Sequence, residues 1–194
     1  MSAISPSADS VQAKAEKALV TGEELLAMGD IGPSELVEGE IVKLTPTGEK
    51  HGTIEVNLGG EIRTFVRQHR LGRVSVGEVG LYIRRNPDTV RGADIVFISN
   101  ERLGKRGTSG FIDVAPDLVV EIMSPDDRWS EVMKKLGEYF SIGVRWVWVV
   151  DPDTESVYAY RSLTDVHHLT QTETLSGDDV LPGFTTGVAE LFVD

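Results

Sequence analysis

Cysteine is absent from the 194-residue chain, and this excludes a disulfide framework, a thiolate metal site and a cysteine nucleophile. Long apolar runs are absent too, since none approaches the roughly 20 residues that a membrane-spanning helix needs. Residues 1–17 also lack the continuous apolar core of a secretory signal. The expectation is therefore a cytoplasmic protein, with residues 1–19 as a flexible tail and residues 20–194 as one domain.

Positive charge is scarce overall, because 19 Lys and Arg face 31 Asp and Glu, and a net charge of −12 argues against a nucleic-acid partner. The segment from Glu61 to Arg106 has the opposite sign, with ten basic and five acidic residues and so a net charge of +5. A basic segment in an acidic protein could be a binding face. The alternative is a solvated surface that carries arginine, and the sequence leaves both open.

Two carboxylates interrupt short apolar runs that are typical of buried strands. Asp94 lies within residues 93–98, Ala-Asp-Ile-Val-Phe-Ile, and Glu121 lies within residues 118–123, Leu-Val-Val-Glu-Ile-Met. An unpaired buried carboxylate costs several kcal/mol or becomes protonated. Two such groups on core strands indicate a shared partner, and a divalent cation is the simplest one. Lys135 follows in a helical pattern, and an Asp, Glu and Lys set around a metal is typical of phosphodiester cleavage.

The remaining pattern alternates helices and strands. A capping box at Thr21 predicts a helix over residues 21–28. Apolar spacing predicts helices over 52–69 and 128–142, although Gly59 and Gly60 weaken the first. The other expectations are a strand pair over 36–44, a long loop over 100–116 and a C-terminal tail with short strands. Strands are expected over residues 73–76, 79–84, 94–99, 118–123, 145–150 and 156–161.

Several of these segments together resemble the Uma-two family of restriction-endonuclease-like bacterial proteins. The specific blocks are Pro-Asp-Leu-Val-Val-Glu-Ile-Met-Ser-Pro at 116–125 and Trp-Val-Trp-Val-Val-Asp-Pro at 146–152. Weaker matches are residues 35–42, His51, residues 94–97 and residues 135–139, so the resemblance covers about residues 20–192. It implies an α+β fold of the PD-(D/E)XK nuclease type, a restriction-endonuclease-like mixed β-sheet flanked by helices.

The resemblance also implies a site. Asp94, Glu121 and the carbonyl oxygen of Ile122 would hold Mg²⁺ or Mn²⁺, and Lys135 would orient water or stabilise the charged phosphate. The family lysine usually lies two residues after the second acid, where Met123 stands here, so Lys135 on the helix takes its place. Glu35 matches a family glutamate and would be an extra acid. Ala93 replaces the proline that usually precedes the first acid.

Each of these residues also has a structural interpretation. Asp94 could cap a turn or pair with Arg91, and Glu121 could form a plain ion pair with Lys135. Lys135 and its neighbour Lys134 could be solvated. His51 would more often be a helix-start or core hydrogen bonder, and Glu35 a surface or hairpin acid. The Trp146 and Trp148 pair alternates with valine, which indicates core packing.

Two functions from different classes follow. The first is a Mg²⁺-dependent endonuclease that hydrolyses DNA phosphodiester bonds. The second is a catalytically silent nuclease-like module that acts in binding or dimerisation. A homodimer is compatible with both, with Trp148 and the C-terminal strands as an apolar interface.

Overall fold

A mixed sheet of eight strands organises the computed structural model, which describes residues 18–105, 107 and 110–193. Most of the predicted flexible tail, residues 1–17, lies outside the described residues. The helices are α1 (Gly22–Ala27), α2 (Glu49–His69), α3 (Asn100–Leu103) and α4 (Trp129–Ser141), and a 3₁₀ turn covers Val188–Phe192. The strands are β1 (Ser34–Val37), β2 (Glu40–Lys43), β3 (Gly72–Arg84), β4 (Thr89–Ser99), β5 (Leu118–Ile122), β6 (Trp146–Asp151), β7 (Ser156–Ser162), β8 (Asp165–Leu169), β9 (Thr174–Ser176) and β10 (Thr185–Gly187).

The strand order of the main sheet is β2-β1-β4-β5-β6-β7-β8, and β3 also pairs with β4. Among the described strands of this sheet, only β5 and β6 run parallel, and α4 is the crossover between them, as a parallel pair requires. All other pairs of the sheet are antiparallel. Strands β9 and β10 form a separate small ribbon. A mixed sheet with helices confirms the predicted α+β class.

A gap between β1 and β5 is the feature that places the candidate site. Strand β3 pairs along one edge of β4 from Thr89 to Ser99, so β1 and β5 must share the other edge. On that edge β1 reaches only Val90, and β5 pairs only with Ile95 to Phe97. The segment from Arg91 to Asp94 therefore lies between two strand ends, with backbone and side chains available for other contacts.

The helices cover the two faces of the sheet and form two cores. Helix α2 packs with the C-terminal segment over one face, where Ile54, Leu58 and Trp148 are buried. Helix α4 covers the other face through Val132 and Leu136. No helix in the described ranges is long and apolar enough to cross a membrane.

Several sequence predictions need correction in detail. Helix α2 begins at Glu49 rather than at residue 52. The two strands predicted over 73–84 are one strand, β3, with a bulge at Gly77 and Glu78, where φ is 88° and 52°. Strand β4 begins at Thr89, five residues before its predicted start, and a short helix, α3, opens the predicted loop. The capping box at Thr21 and the helix α4 are confirmed.

Candidate active site

Glu121 lies on β5 and faces helix α4. Its Oε1 accepts a hydrogen bond from the Tyr139 hydroxyl at 2.5 Å, and its Oε2 lies 3.2 Å from the Lys135 ammonium. Burial raises the pKa of Glu121 to about 7, although the positive charge of Lys135 acts in the opposite direction. Glu121 therefore has a stronger proton affinity than an ordinary glutamate, and it gains from any further positive charge.

Lys135 is shared between two acids. Because α4 presents residues three and four apart on one face, Lys135 and Tyr139 point together toward the sheet. The Lys135 ammonium lies 3.2 Å from Glu121 Oε2 and 3.2 Å from Glu35 Oε1. Burial opposes its charge, but the two carboxylates outweigh burial and raise the pKa of Lys135 above its usual range. The ammonium is therefore permanently charged, and it is not solvated as the structural interpretation supposed.

Glu35 is a buried acid of β1, so its interpretation as a surface acid is wrong, although β1 does form a hairpin with β2. Its Oε2 accepts from the Arg91 guanidinium at 2.6 Å, and its Oε1 accepts from the Gly92 amide at 3.1 Å. Arg91 also donates to Glu138 of α4 at 2.6 Å. These contacts fill the gap between β1 and β5, and they tie Lys135 to the sheet through Glu35.

Asp94 lies at the end of the same gap. Its Oδ2 accepts from the Ile122 amide at 2.6 Å, and the His51 Nε2 atom of α2 lies 3.4 Å from the same oxygen. Its predicted alternative partner, Arg91, pairs instead with Glu35 and Glu138. Within the described residues, Asp94 Oδ1 receives no hydrogen bond. Asp94 is thus oriented by one oxygen and leaves the other for a ligand.

His51 is a buried residue of α2 beside Asp94. Burial disfavours its charged form, but the Asp94 carboxylate outweighs burial, and the pKa of His51 is raised. Its Nδ1 atom is buried and has no hydrogen-bond partner in the described part of the chain. The sequence matched this histidine to the family without a role, and the structure assigns it a contact with the first predicted acid.

Two further acids lie near Asp94 and were not found from the sequence. Burial raises the pKa of Glu55, one turn after His51 on α2, and the charge of Asp94 adds to this effect. Burial likewise raises the pKa of Glu78, in the bulge of β3, with a second contribution from Asp94. The local excess of carboxylates means that negative charge at this end of the sheet is only partly compensated.

Of the four predicted side chains, the structure brings Glu35, Glu121 and Lys135 into direct contact, and Asp94 joins them through the Ile122 amide next to Glu121. It places the Ile122 peptide beside Asp94 as well. Sequence reasoning assigned no role to Tyr139, and it missed the Arg91 to Glu138 pair. The position of Tyr139 four residues after Lys135 was the available signal for its role.

A cleft of about 330 Å³ opens over this network. Glu35, Arg91, Glu121 and Lys135 line it, and the exposed Lys134 lines it too. The carboxylates are therefore reachable by a ligand from the side of α4 and β1.

The oxygen atoms that the site offers as metal ligands are of the kind that Mg²⁺ prefers. Among the described residues no three His, Asp or Glu side chains are grouped in a way that could hold a metal ion by themselves. Mg²⁺ does not require such a group, since one or two carboxylates, waters and substrate oxygens commonly suffice. Asp94, Glu121 and the Ile122 carbonyl supply hard oxygen donors, and Glu121 is a buried carboxylate whose pKa burial raises even with Lys135 beside it.

Comparisons with known proteins agree with this fold. Residues 23–189 match the model of the Uma2 (Uma-two) family, described as "Putative restriction endonuclease". A solved structure from Anabaena variabilis ATCC 29413, titled as a putative nuclease belonging to DUF820, matches with a TM-score of 0.74 and 24% identity. The match covers 89% of this chain and 97% of that chain, and it shows the same fold. No protein of curated function is significantly similar to the chain.

Proposed function

Because the chain belongs to the Uma2 family, described as "Putative restriction endonuclease", we propose that it is a Mg²⁺-dependent nuclease that hydrolyses DNA phosphodiester bonds. The observation that carries this proposal is the meeting of Asp94, Glu121 and Lys135 at the gap between β1 and β5. They come from two strands and a helix: Glu121 and Lys135 line the cleft, and Asp94 lies behind it on the Ile122 amide. The restriction-endonuclease-like fold expected from the sequence is confirmed, and the metal and the substrate are the proposed part.

Asp94, Glu121 and the Ile122 carbonyl would hold Mg²⁺ or Mn²⁺, which supplies Lewis-acid polarisation of the phosphate and a bound water of lowered pKa. Tyr139 fixes one oxygen of Glu121, and the Ile122 amide with His51 fixes one oxygen of Asp94. Each carboxylate therefore keeps a defined direction for its second oxygen. Such fixed donors need little rearrangement during the reaction.

Lys135 would act on the phosphate rather than on the metal. Its ammonium carries a permanent charge and lines the cleft. A cation placed there stabilises the additional negative charge of the pentavalent phosphate, or it orients the attacking water. Glu35 holds Lys135 from the other side while Arg91 neutralises Glu35, so we assign Glu35 the role of a positioning residue.

One observation favours the silent module. The carboxylates of Glu35 and Glu121 already have cationic partners, Arg91 and Lys135, so this part of the network is satisfied without a metal. A protein that kept the network for stability alone would bind DNA or a second copy without cutting.

A cleavage assay on plasmid, linear duplex and single-stranded DNA with Mg²⁺ or Mn²⁺ separates these functions. We expect cleavage by the wild-type chain and loss of cleavage in Glu121→Ala. In parallel, Mg²⁺ should raise the melting temperature of the wild type and not that of Asp94→Ala, because metal binding to the folded state stabilises it. An equal metal response in both proteins would place the metal elsewhere, and no cleavage of any DNA form would support the silent module.

A homodimer is a further part of the proposal, but not through Trp148. This residue is buried in the core, so it cannot supply an interface. Exposed apolar side chains near the C-terminal strands, Leu163 and Val166, are the better candidates. Sedimentation of the wild type and of Val166→Glu measures whether they contribute.

A further inference from the structure

A second cleft, of about 490 Å³, lies beside the catalytic one. The two clefts share Met123 and Asp127 in their walls. His51 lines the second cleft and also contacts Asp94, which is the first predicted metal ligand. A ligand in the second cleft would therefore lie next to a phosphate bound at the catalytic carboxylates.

One wall of the second cleft is an exposed tryptophan. Trp129 is 38% exposed, whereas Trp146 and Trp148 are 5% and 1% exposed. Its ring packs edge-on to Tyr158 with centroids 4.9 Å apart, and Tyr158 is stacked on His168 at 4.3 Å. Trp129 is thus held in place by aromatic neighbours and still offers area to solvent. Packing of the first turn of α4 explains the contact with Tyr158, but it does not explain the exposed part.

The polar lining of this cleft favours a neutral ligand over a phosphate. Among the lining residues that the structure describes, Lys50 is the one lysine or arginine, and its ammonium contacts the Pro152 carbonyl and Glu155. Asp127, Asp151 and Asp153 also line the cleft. Carboxylates repel a phosphate and accept hydrogen bonds from amino groups. An uncharged planar group with an amine could stack on the tryptophan ring and donate hydrogen bonds to the carboxylates.

We propose that the second cleft binds an unpaired nucleobase of the substrate strand, stacked on Trp129. This inference rests on the proposed nuclease function, because the phosphate of the same strand would occupy the catalytic cleft. A base within a duplex is stacked and paired, so it cannot enter such a cleft without leaving the helix. The preferred substrate is therefore single-stranded DNA, or DNA with an unpaired base next to the cleaved bond. Adenine and cytosine, which carry exocyclic amines, are favoured over thymine.

Binding without cleavage tests the proposal directly. The full chain is titrated in EDTA against fluorescein-labelled dA, dC and dT oligonucleotides of one length and a blunt duplex, with anisotropy as the readout. Trp129→Ala should weaken single-strand binding about tenfold, since one stacked base commonly contributes this much or more. Duplex binding should change less than twofold. Trp129→Phe should restore most of the affinity. The matched control is Val56→Ala, which changes an exposed apolar residue of α2.

Stability of the variants is checked by melting temperature, because Trp129 also packs on Tyr158. If Trp129→Ala does not fold, the wild type still provides a test, since bound dA oligonucleotide should protect tryptophan fluorescence from acrylamide quenching. The proposal would be overturned if Trp129→Ala lost affinity equally for single strands and duplex. It would also be overturned if the variant lost no affinity and the oligonucleotide gave the wild type no protection from quenching. If wild type cleaves duplex DNA and Trp129→Ala cleaves single strands equally well, the nuclease function stands and the base site fails. If no DNA is bound or cleaved, both fail.

Discussion

At the scale of single residues, the candidate site is a balance of buried charges. Lys135 lies between Glu121 and Glu35, and Arg91 lies between Glu35 and Glu138. Removal of one member of such a network leaves another buried charge uncompensated, which is costly. Stability and the proposed catalytic role are therefore linked at Lys135, and a single alanine variant cannot distinguish them.

Three variants of the two adjacent lysines separate the roles. We expect Lys135→Ala to lower the cleavage rate about 100-fold or more, because a positioned charge acts mainly in the transition state. It should also lower the melting temperature. Lys135→Arg should recover most of the melting temperature but less of the rate, since the guanidinium has a different shape. Lys134→Ala, a change of an exposed neighbour about 100° away around α4, should alter neither. Small and equal effects of Lys134→Ala and Lys135→Ala on cleavage would remove Lys135 from the mechanism.

The raised pKa of Glu121 predicts a pH dependence of stability in metal-free buffer. Its pKa is about 7 in the folded protein against an ordinary value of 4.5. Between these values the folded protein keeps a proton that the unfolded chain has released, so the contribution to stability is present below pH 4.5 and is lost as the pH rises through 7. The size is on the order of 3 kcal/mol.

The melting temperature in EDTA, measured from pH 5 to pH 7.5, tests this expectation. The wild type should lose more stability over the range than Glu121→Gln, which has no titrating group at this position. Glu101→Gln, a change of an exposed acid, is the control and should follow the wild type. Parallel curves for wild type and Glu121→Gln would contradict the assignment.

At the scale of elements, packing of α2 against β3 explains one of the two adjacent glycines in this helix and not the other. A Cβ atom on Gly59 would lie 2.9 Å from the Val76 side chain, so the close approach of β3 excludes it. A Cβ atom on Gly60 would meet nothing within 4 Å. The two glycines therefore have opposite structural roles, although the sequence gives no means to tell them apart.

Alanine substitution at the two positions should have opposite signs. Gly60→Ala should stabilise the protein by roughly 0.5–1 kcal/mol, because alanine loses less backbone entropy in a helix. Gly59→Ala should destabilise it, since Val76 must move. Urea unfolding of both variants measures the difference, and stabilisation by both would show that Val76 yields without cost.

Hydrophobic periodicity predicted the elements whose contacts are local, and it failed where residues distant in the sequence determine the structure. The apolar spacing of Val132, Leu136 and Tyr139 was enough to find α4. The start of β4 was missed because Arg91 and Gly92 interrupt the apolar run. Arg91 is buried there only because Glu35 and Glu138, 56 and 47 residues away, neutralise it. Partners at that separation cannot be identified from local pattern, and the same reason hid the contacts of Glu35.

At the scale of the whole molecule, a net charge of −12 must be reconciled with the proposed DNA substrate. The basic segment predicted from Glu61 to Arg106 does not form one uniform face. Arg84, Arg85, Arg102 and Lys105 pair with acids, and Arg91 is buried. Arg106 lies outside the described residues. Within the described ranges, the exposed arginines of this segment without an ion pair are Arg63, Arg67, Arg70 and Arg73.

Arg63 and Arg67 lie on the second half of α2, Arg70 caps its C-terminal end and Arg73 lies at the start of β3. His51 lies near the beginning of the same helix. A rise of about 1.5 Å per residue places Arg67 roughly 24 Å from His51 along the helix axis, a distance that a bound DNA of a few turns spans. Unpaired arginines attract phosphates more strongly than arginines that already neutralise an acid. The expected electrostatic footprint is therefore the arginine end of α2 and not the whole segment.

Charge reversal at this end of α2 tests the footprint. Arg67→Glu with Arg70→Glu should weaken DNA binding at every sequence and reduce the slope of log affinity against log salt by about 2, because two phosphate contacts are lost. Arg84→Glu with Lys105→Glu is the matched control, with the same change in net charge at residues that pair with Glu38 and Glu101. If both pairs of changes reduce the slope equally, net charge alone governs binding. If the wild type shows no salt-dependent binding to any DNA form, the net negative charge of the molecule prevents DNA binding. The fold would then serve a function other than DNA cleavage.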